Sequence, residues 1–556
     1  MSTPGKKETV AERVKRESRG LRGTLAESLK DEHTGSLRSD DQLLLKFHGM
    51  YQQDDRDRRE ERAQKKLDRL HSFMIRLRIP GGMIGPVHWE ELHNVAGKNS
   101  TGTIKITTRQ TVQLHGILKT QIKPTIKAFD QVFLDSIAAC GDVNRNVTCT
   151  SNPSVSPLHK EVFLYAGEIS RHLLPKTRAY YEIWLDEKQL VEKEEPKDPL
   201  YKDVYLPRKF KIAIAIPPHN DVDIFTNDLG LIAIIEAGEL KGFNVSVGGG
   251  LGTTHGNPDT YPRLGSVLGY VSKKDILKFV YEIVTVQRDF GNREERKLSR
   301  LKYTIDRMGL ENYKKEVENR TGINFLPTKD FKFETRTDEF GWKQDHAGNW
   351  HYTVFVENGR VLDEDGYLLK TALLEVSKTR RAVFRFTCNQ NLILSDILPR
   401  DKELIHEILE KYAVTKKTSE TSPLRKNSMA CVALSTCSLA LAEGQRYLPS
   451  LVDKIEGILI KYGLKNEPIT IRMTGCPNGC ARPYISEIGL VGTSYGKYNL
   501  HLGADWEGTR LNSKFKESLD EEQILNELDV LLGKFSKDRK NKETFGDFIY
   551  RSGILN

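Results

Sequence analysis

Residues 104–114 read IKITTRQTVQL, and residues 384–394 read FRFTCNQNLIL. Aligned without gaps, Thr107 meets Thr387, Gln110 meets Gln390, Leu114 meets Leu394, and Lys105 faces Arg385. Each copy comes after a strand-like run (73–79 and 352–356), a turn and a helical segment. The helices are expected over 89–96 and 368–376, where apolar positions recur three and four apart. A strand–helix–strand unit of this size buries its apolar face only against a partner, so the two copies are expected to pack as pseudo-symmetric halves.

The segments C-terminal to the two copies extend the duplication. The first copy leads to GDVNRNVTCTSNP (141–153) and the second to NSMACVALSTC (427–437), which implies two equivalent sites, one of which kept metal ligands. The candidate ligands are Cys431 and Cys437, spaced C-x5-C, then Cys476 and Cys480, spaced C-x3-C in TGCPNGC. Pro477, Asn478 and Gly479 make a tight turn that lets sulfurs converge with backbone N–H groups facing them. Zinc sites more often use C-x2-C knuckles, so the spacing favours an iron–sulfur centre over a structural Zn(Cys)4 site. Cys140, Cys149 and Cys388 sit in apolar contexts and read as buried free thiols.

The chain has 556 residues, enough for three or four packing units. Its 85 basic and 76 acidic residues give +9, an excess suited to an anionic substrate, an anionic cofactor or an acidic donor protein. The charges are mixed throughout and no basic stripe with interleaved aromatics appears, which disfavours nucleic-acid binding. The N-terminus lacks an apolar signal segment, no run reaches membrane-spanning length, and seven cysteines without a leader suggest a reducing, cytoplasmic compartment. DDRDRREERAQKK (54–66) reads as an exposed helix. A long α/β stretch between the copies contains the strand KFKIAIAIP (209–217), the glycine loop VGGGLGTTHGN (247–257) and a helical run over 272–309. The loop fails the dinucleotide fingerprint, because His255 holds the third glycine position, and no phosphate-binding P-loop is present. Redox chemistry here would therefore draw its electrons from another protein.

Arg78, Arg109, Arg145, Arg208, Lys209 and Lys211 lie at strand ends or in loops, and together they are candidates to line a pocket for a multiply charged anion.

The segments FHGMYQQDDRD (47–57), TTRQTVQLHG (107–116), NRNVTCTSNP (144–153), LPRKFK (206–211), QRDFGNR (287–293), NSMAC (427–431), TGCPNGC (474–480), YNLHLG (498–503) and FGDF (545–548) stand in order along the chain. Over nearly its whole length the sequence resembles the siroheme sulfite/nitrite reductase family. The resemblance implies an α+β, pseudo-two-fold duplicated fold of ferredoxin-like half-repeats plus two larger α/β lobes. The expected divisions are an N-terminal extension for partner docking (1–70), a first half-repeat (71–137), an α/β lobe for siroheme and substrate (138–338), a second half-repeat (339–415) and a cluster lobe (416–556).

It also implies that Cys431, Cys437, Cys476 and Cys480 ligate one [4Fe–4S] cluster, with Cys480 the axial ligand of one siroheme. Arg78, Arg145, Lys209 and Lys211 would bind sulfite and supply protons. Arg109, Thr111, Gln113, His115, Arg208 and the basic residues around Arg300 and Lys302 would hold siroheme carboxylates. The implied activity is six-electron reduction of sulfite to sulfide in assimilatory sulfate reduction and cysteine biosynthesis. Electrons would come from a flavoprotein partner that carries them from NADPH through FAD and FMN. HGMYQQDDRD and the extended N-terminus favour that branch, and a ferredoxin-dependent sulfite reductase or a siroheme nitrite reductase is the alternative.

Overall fold

The computed structural model describes residues 8–187 and 197–555. Residues 1–7 of the expected N-terminal extension lie outside the described residues. The two half-repeats each build a five-stranded sheet, and the sheets are images of one another. The first has the order Met50–Asp54, His71–Arg76, Val112–Ile117, Ile104–Ile106, Arg360–Val361. The second runs Gly341–Gln344, Trp350–Val354, Leu392–Ile397, Val383–Phe386, Met83–Ile84. Each half lends its short last strand to the other: Arg360 pairs with Lys105, and Met83 pairs with Arg385. This exchange ties the copies together through backbone hydrogen bonds as well as through side-chain packing.

The helices Pro86–Asn99 and Leu369–Thr379 lie against each other between the sheets. Trp89 of the first half is fully buried and stacks on Phe384 of the second, ring centroids 4.6 Å apart. Burying aromatic faces of this size dominates the energetics of such a seam.

The lobes repeat as well. One sheet joins Thr148–Cys149, Ile212–Ala215, Leu229–Glu236, Glu239–Val247 and Ser266–Ser272. The other joins Ser428–Ala430, Ile471–Thr474, Ile488–Ser494, Lys497–Leu502 and Ser513–Leu519. In both, the first three strands are parallel and the rest antiparallel. The residues of Ile212–Ala215 and Ile471–Thr474 are all buried, as parallel strands covered on both faces must be. The strand registers match Ile212 to Ile471 and Leu229 to Ile488 with no insertion between them. Asp221 is thereby the counterpart of Cys480, Pro217 of Cys476, and Asp223 of Arg482. The neighbouring strands match Cys149 to Ala430, so Thr150 is the counterpart of Cys431.

One expectation changes. The helical run over 272–309 is two helices, Ile276–Phe290 and Leu301–Met308, broken at Gly291. A Cβ at Gly291 would meet Pro207 at 2.4 Å, so the chain turns there on a residue without one. Residues 8–70 of the expected N-terminal extension pack onto the first half. Met50–Asp54 is the edge strand of the first sheet, and the buried Lys15 donates to the carbonyl of Leu206 at 2.8 Å. The short helix Arg59–Gln64 buries none of its side chains, as its charge pattern predicted.

Candidate active site

The four cysteines come together at the C-terminal ends of the parallel strands of the second lobe. Cys431 follows Ser428–Ala430 and Cys476 follows Ile471–Thr474, the place where open α/β sheets present ligands. Cys431 Sγ accepts the Gly475 N–H at 3.4 Å. Cys437 faces the N–H groups of Leu439 and Ala440, and Cys476 faces the Asn478 backbone N–H and, at 3.6 Å, its side-chain amide. Burial is the main cause that raises the thiol pKa values of Cys431, Cys437 and Cys476, the last to about 12, and the Cys480 thiol adds to each rise. Among the described residues no three His, Cys, Asp or Glu side chains are placed to share one ion. The four thiols are close enough to sense one another electrostatically.

Cys480 is the exposed member of the quartet, and it looks into a cavity of about 440 Å³. Arg109, Lys209, Lys211, Arg300 and Arg482 share that cavity's wall. The loop between the strands Ile104–Ile106 and Val112–Ile117 closes one side, where the Thr108 hydroxyl donates to the Cys480 carbonyl at 3.0 Å. The glycine loop closes another: Thr253 N–H donates to Pro477 at 2.9 Å, and a Cβ on Gly252 would stand 3.1 Å from the Asn478 carbonyl.

The cavity is short of negative charge. Arg300 is paired with the buried Asp228, and Arg109 donates to Asn227 Oδ1 and to the carbonyls of Asn146 and Ile212. The ammonium groups of Lys209 and Lys211 have no hydrogen-bond or ion-pair partner among the described residues. Burial first, then the surrounding guanidinium groups, pulls Lys211 down to about 7, while Lys209 falls well below the usual lysine range. An anion entering here meets two lysine amines with free donors, and Lys211 can release a proton near neutral pH.

The expected residues do not all meet. Arg109, Lys209, Lys211 and Cys480 line the one cavity. Arg145 and Arg208 stand behind Lys209 and add to its loss of basicity. Arg78 does not belong: it is ion-paired with Asp135 and donates to Ser170, so its charge is already matched. Arg76, two residues earlier, has no carboxylate partner among the described residues and donates to Cys140 Sγ at 2.8 Å. It lies over the Tyr51 ring at 6.0 Å, and the same tyrosine hydroxyl accepts from Arg145 at 3.5 Å.

Thr111, Gln113 and His115 also depart from the expectation, because their polar atoms are engaged inside the protein. The Thr111 hydroxyl donates to Leu77. Gln113 accepts from Arg76 Nε at 2.9 Å and donates to His115 Nε2 at 3.2 Å. Burial drives the His115 pKa down to about 3, so the ring is neutral and serves this network. Lys302 is occupied beneath the glycine loop, where it donates to Gly250 and Gly252 at 3.0 Å each, and Arg300 is the residue that reaches the cavity. Sequence reasoning missed Arg76, Thr108, Asn227 and Arg482. The first was hidden because Arg76 and Arg78 stand two apart on one extended run, and nothing local distinguishes an arginine paired with a carboxylate from one that is not.

The comparisons agree with this architecture. The ferredoxin-like half domain of nitrite and sulfite reductases matches residues 64–132 and 343–412, the two copies found above. The nitrite and sulphite reductase 4Fe-4S domain matches residues 166–325, in the lobe that lacks the four cysteines but shares its topology with the lobe that has them. The sulfite reductase [NADPH] hemoprotein beta-component of Leptospira biflexa is 82% identical over 99% of both chains. That of Geobacillus thermodenitrificans is 51% identical over 98% of this chain and 95% of its own. The Mycobacterium tuberculosis NirA structure shares the fold, with a TM-score of 0.79 at 24% identity over 99% of this chain and 97% of its own.

Proposed function

Because the chain belongs to the nitrite and sulfite reductase family, we propose that it reduces sulfite to sulfide. Cys431, Cys437, Cys476 and Cys480 would hold a [4Fe–4S] cluster, and the cavity beyond Cys480 would hold siroheme and the substrate. The observation that carries this reading is the position of Cys480, which belongs to the thiol quartet and to the wall of the cation-lined cavity at once. The donor set fits both groups. Backbone N–H groups face three of the thiols, as in cysteine-ligated clusters, and a macrocycle bearing many carboxylates suits a wall of Arg109, Arg300 and Arg482.

When bound, siroheme and cluster supply electrons one at a time; the chain's own residues do the rest. Sulfite takes up six electrons and seven protons to give HS⁻ and three waters. Lys209 and Lys211 bind the dianion and stabilise charge on each departing oxygen, in a recess where fixed cations act more strongly than in water. With its pKa pulled down to about 7 by burial, Lys211 also hands over a proton at neutral pH. Arg76 and Arg145, joined through Tyr51, complete the anion pocket from the side of the first sheet.

The electron donor in this reading is a flavoprotein subunit fed by NADPH, which the names of the Leptospira and Geobacillus relatives support. No described helix is long and apolar enough to cross a membrane, and we place the enzyme in the cytoplasm with that donor. The test is electron counting with the purified holoenzyme and reduced methyl viologen. Six viologen oxidised per sulfide released is expected; two electrons per sulfite, or no sulfide, would overturn the assignment.

A further inference from the structure

The pseudo-two-fold axis gives the cofactor cavity an image in the other half of the molecule. His219 and Asp221, the counterparts of Asn478 and Cys480 in the cofactor cavity's wall, line a second cavity of about 280 Å³. Every ligating sulfur whose counterpart is fixed by register has been replaced: Thr150 stands for Cys431, Pro217 for Cys476 and Asp221 for Cys480.

The turns facing the two cavities have the same backbone. Thr107 N–H donates to Thr111 O at 2.8 Å and Thr387 N–H to Asn391 O at 3.0 Å, while Gln110 and Gln390 take φ of 51° and 69°. In the second turn three side chains converge on one carboxylate. Thr387 Oγ donates to Asp338 Oδ2 at 2.7 Å, Asn391 Nδ2 to the same oxygen at 2.8 Å, and Asn389 Nδ2 to Oδ1 at 3.1 Å. These donors are the counterparts of Thr107, Thr111 and Arg109. The segment that delivers Asp338 is laced across the image of the cysteine turn: Asn220 N–H donates to Thr335 O at 2.7 Å, and Glu334 N–H to Pro218 O at 2.8 Å.

We propose that the turn facing this second cavity is a carboxylate-binding site, the image of the cofactor site, and that Asp338 occupies its donors as a built-in carboxylate. The likeness to a cofactor carboxylate rests on the function proposed above; the site itself rests on the three hydrogen bonds and the cavity. Its ligand class is a small carboxylate, because the donors are amide and hydroxyl groups set for one planar anion. Neither Asp221 nor Asp338 has an ion-pair partner among the described residues, and Asp221 Oδ1 is buried without a hydrogen bond, while Ser151 donates to Oδ2 through its N–H and its hydroxyl. The Asp338 strap thus occupies the turn that faces a duplicated pocket and makes it a seam between halves.

The test is chemical rescue in the holoenzyme. Asp338→Gly removes the atoms of one acetate, and its thermal midpoint should fall by about 2–5 °C. Sodium acetate should restore at least half of that loss in a saturable way and leave the wild type unmoved, while sodium chloride at equal ionic strength restores none. Asp338→Asn points an amide N–H₂ at donors and should be destabilised without rescue, which keeps the test usable if the glycine variant does not fold. Equal effects of acetate and chloride on Asp338→Gly, or an Asp338→Asn variant as stable as the wild type, would overturn the proposal. Siroheme content and sulfite turnover are read on the same samples. Failed rescue with one siroheme and normal turnover defeats this inference alone, whereas rescue of Asp338→Gly in a protein whose wild type never binds siroheme defeats the proposed function alone.

Discussion

Arg482 and Asp223 occupy equivalent places in the two lobes, and they pair with each other, Nε to Oδ2 at 3.0 Å. Both take left-handed backbone, φ 58° and 47°, at the start of matching short helices. Asp223 also holds Arg472 at 2.8 Å and Arg336 at 3.6 Å, and these guanidinium groups keep its carboxyl below the usual range despite full burial. One carboxylate thus anchors three arginines at the axis, and one of the three, Arg482, lines the cavity beside Cys480.

Asp223→Asn should therefore be among the most damaging substitutions outside the cofactor ligands. Leaving buried guanidinium groups uncompensated costs about 3–5 kcal/mol. Denaturant unfolding checks it, and a loss under about 1 kcal/mol would mean that the axis pair is dispensable.

Lys209→Met should lower kcat/KM for sulfite at least about tenfold, a loss of roughly 1.4 kcal/mol or more in transition-state binding, while siroheme stays at one per chain. Unaltered kinetics in a fully loaded variant would remove Lys209 from the mechanism.

Arg76 and Arg78 separate two readings of one sequence run. Arg76→Met should impair sulfite reduction as Lys209→Met does, whereas Arg78→Met, which breaks an ion pair with Asp135, should act mainly on stability. Steady-state kinetics beside thermal unfolding decides between them. An Arg78 variant that folds normally but loses turnover would restore the sequence-based expectation.

Lys211 gives a pH signature. Its pKa is about 7 in the folded chain, below the unfolded lysine value of about 10.4, so the unfolded state binds more protons between those limits and stability rises with pH across them. The penalty for burying this charge is complete below pH ~7 and gone above ~10.4. In protein prepared without siroheme, Lys211→Met should be more stable than wild type at pH 7, with the gap closing toward pH 10. Stability curves at several pH values test this; a constant gap would contradict it.

How far the sequence could be read depends on the range of each interaction. The duplication was legible because strand, turn and helix signals are local, and Thr107–Gln110 and Thr387–Gln390 carry the same turn. The four cysteines were legible because ligand spacing is itself a local constraint. The strand exchange was not, since Met83–Ile84 and Arg360–Val361 are too short to signal a partner in the other half. Arg78 was misplaced for a similar reason: Asp135, which neutralises it, lies 57 residues away in sequence. Lys302 failed because only the fold reveals that the carbonyls of Gly250 and Gly252 claim it.

The most direct measurement is an absorption spectrum of the purified protein, with iron, acid-labile sulfide and zinc assayed on the same sample. The account predicts siroheme bands, about five irons and four sulfides per chain, and a spectral change when sulfite meets the reduced protein. In Cys480→Ser, cluster and siroheme should no longer be held as one coupled unit. Zinc in a colourless preparation, or cluster and siroheme that respond to sulfite unchanged in Cys480→Ser, would contradict the claim that Cys480 joins the thiol quartet to the anion pocket.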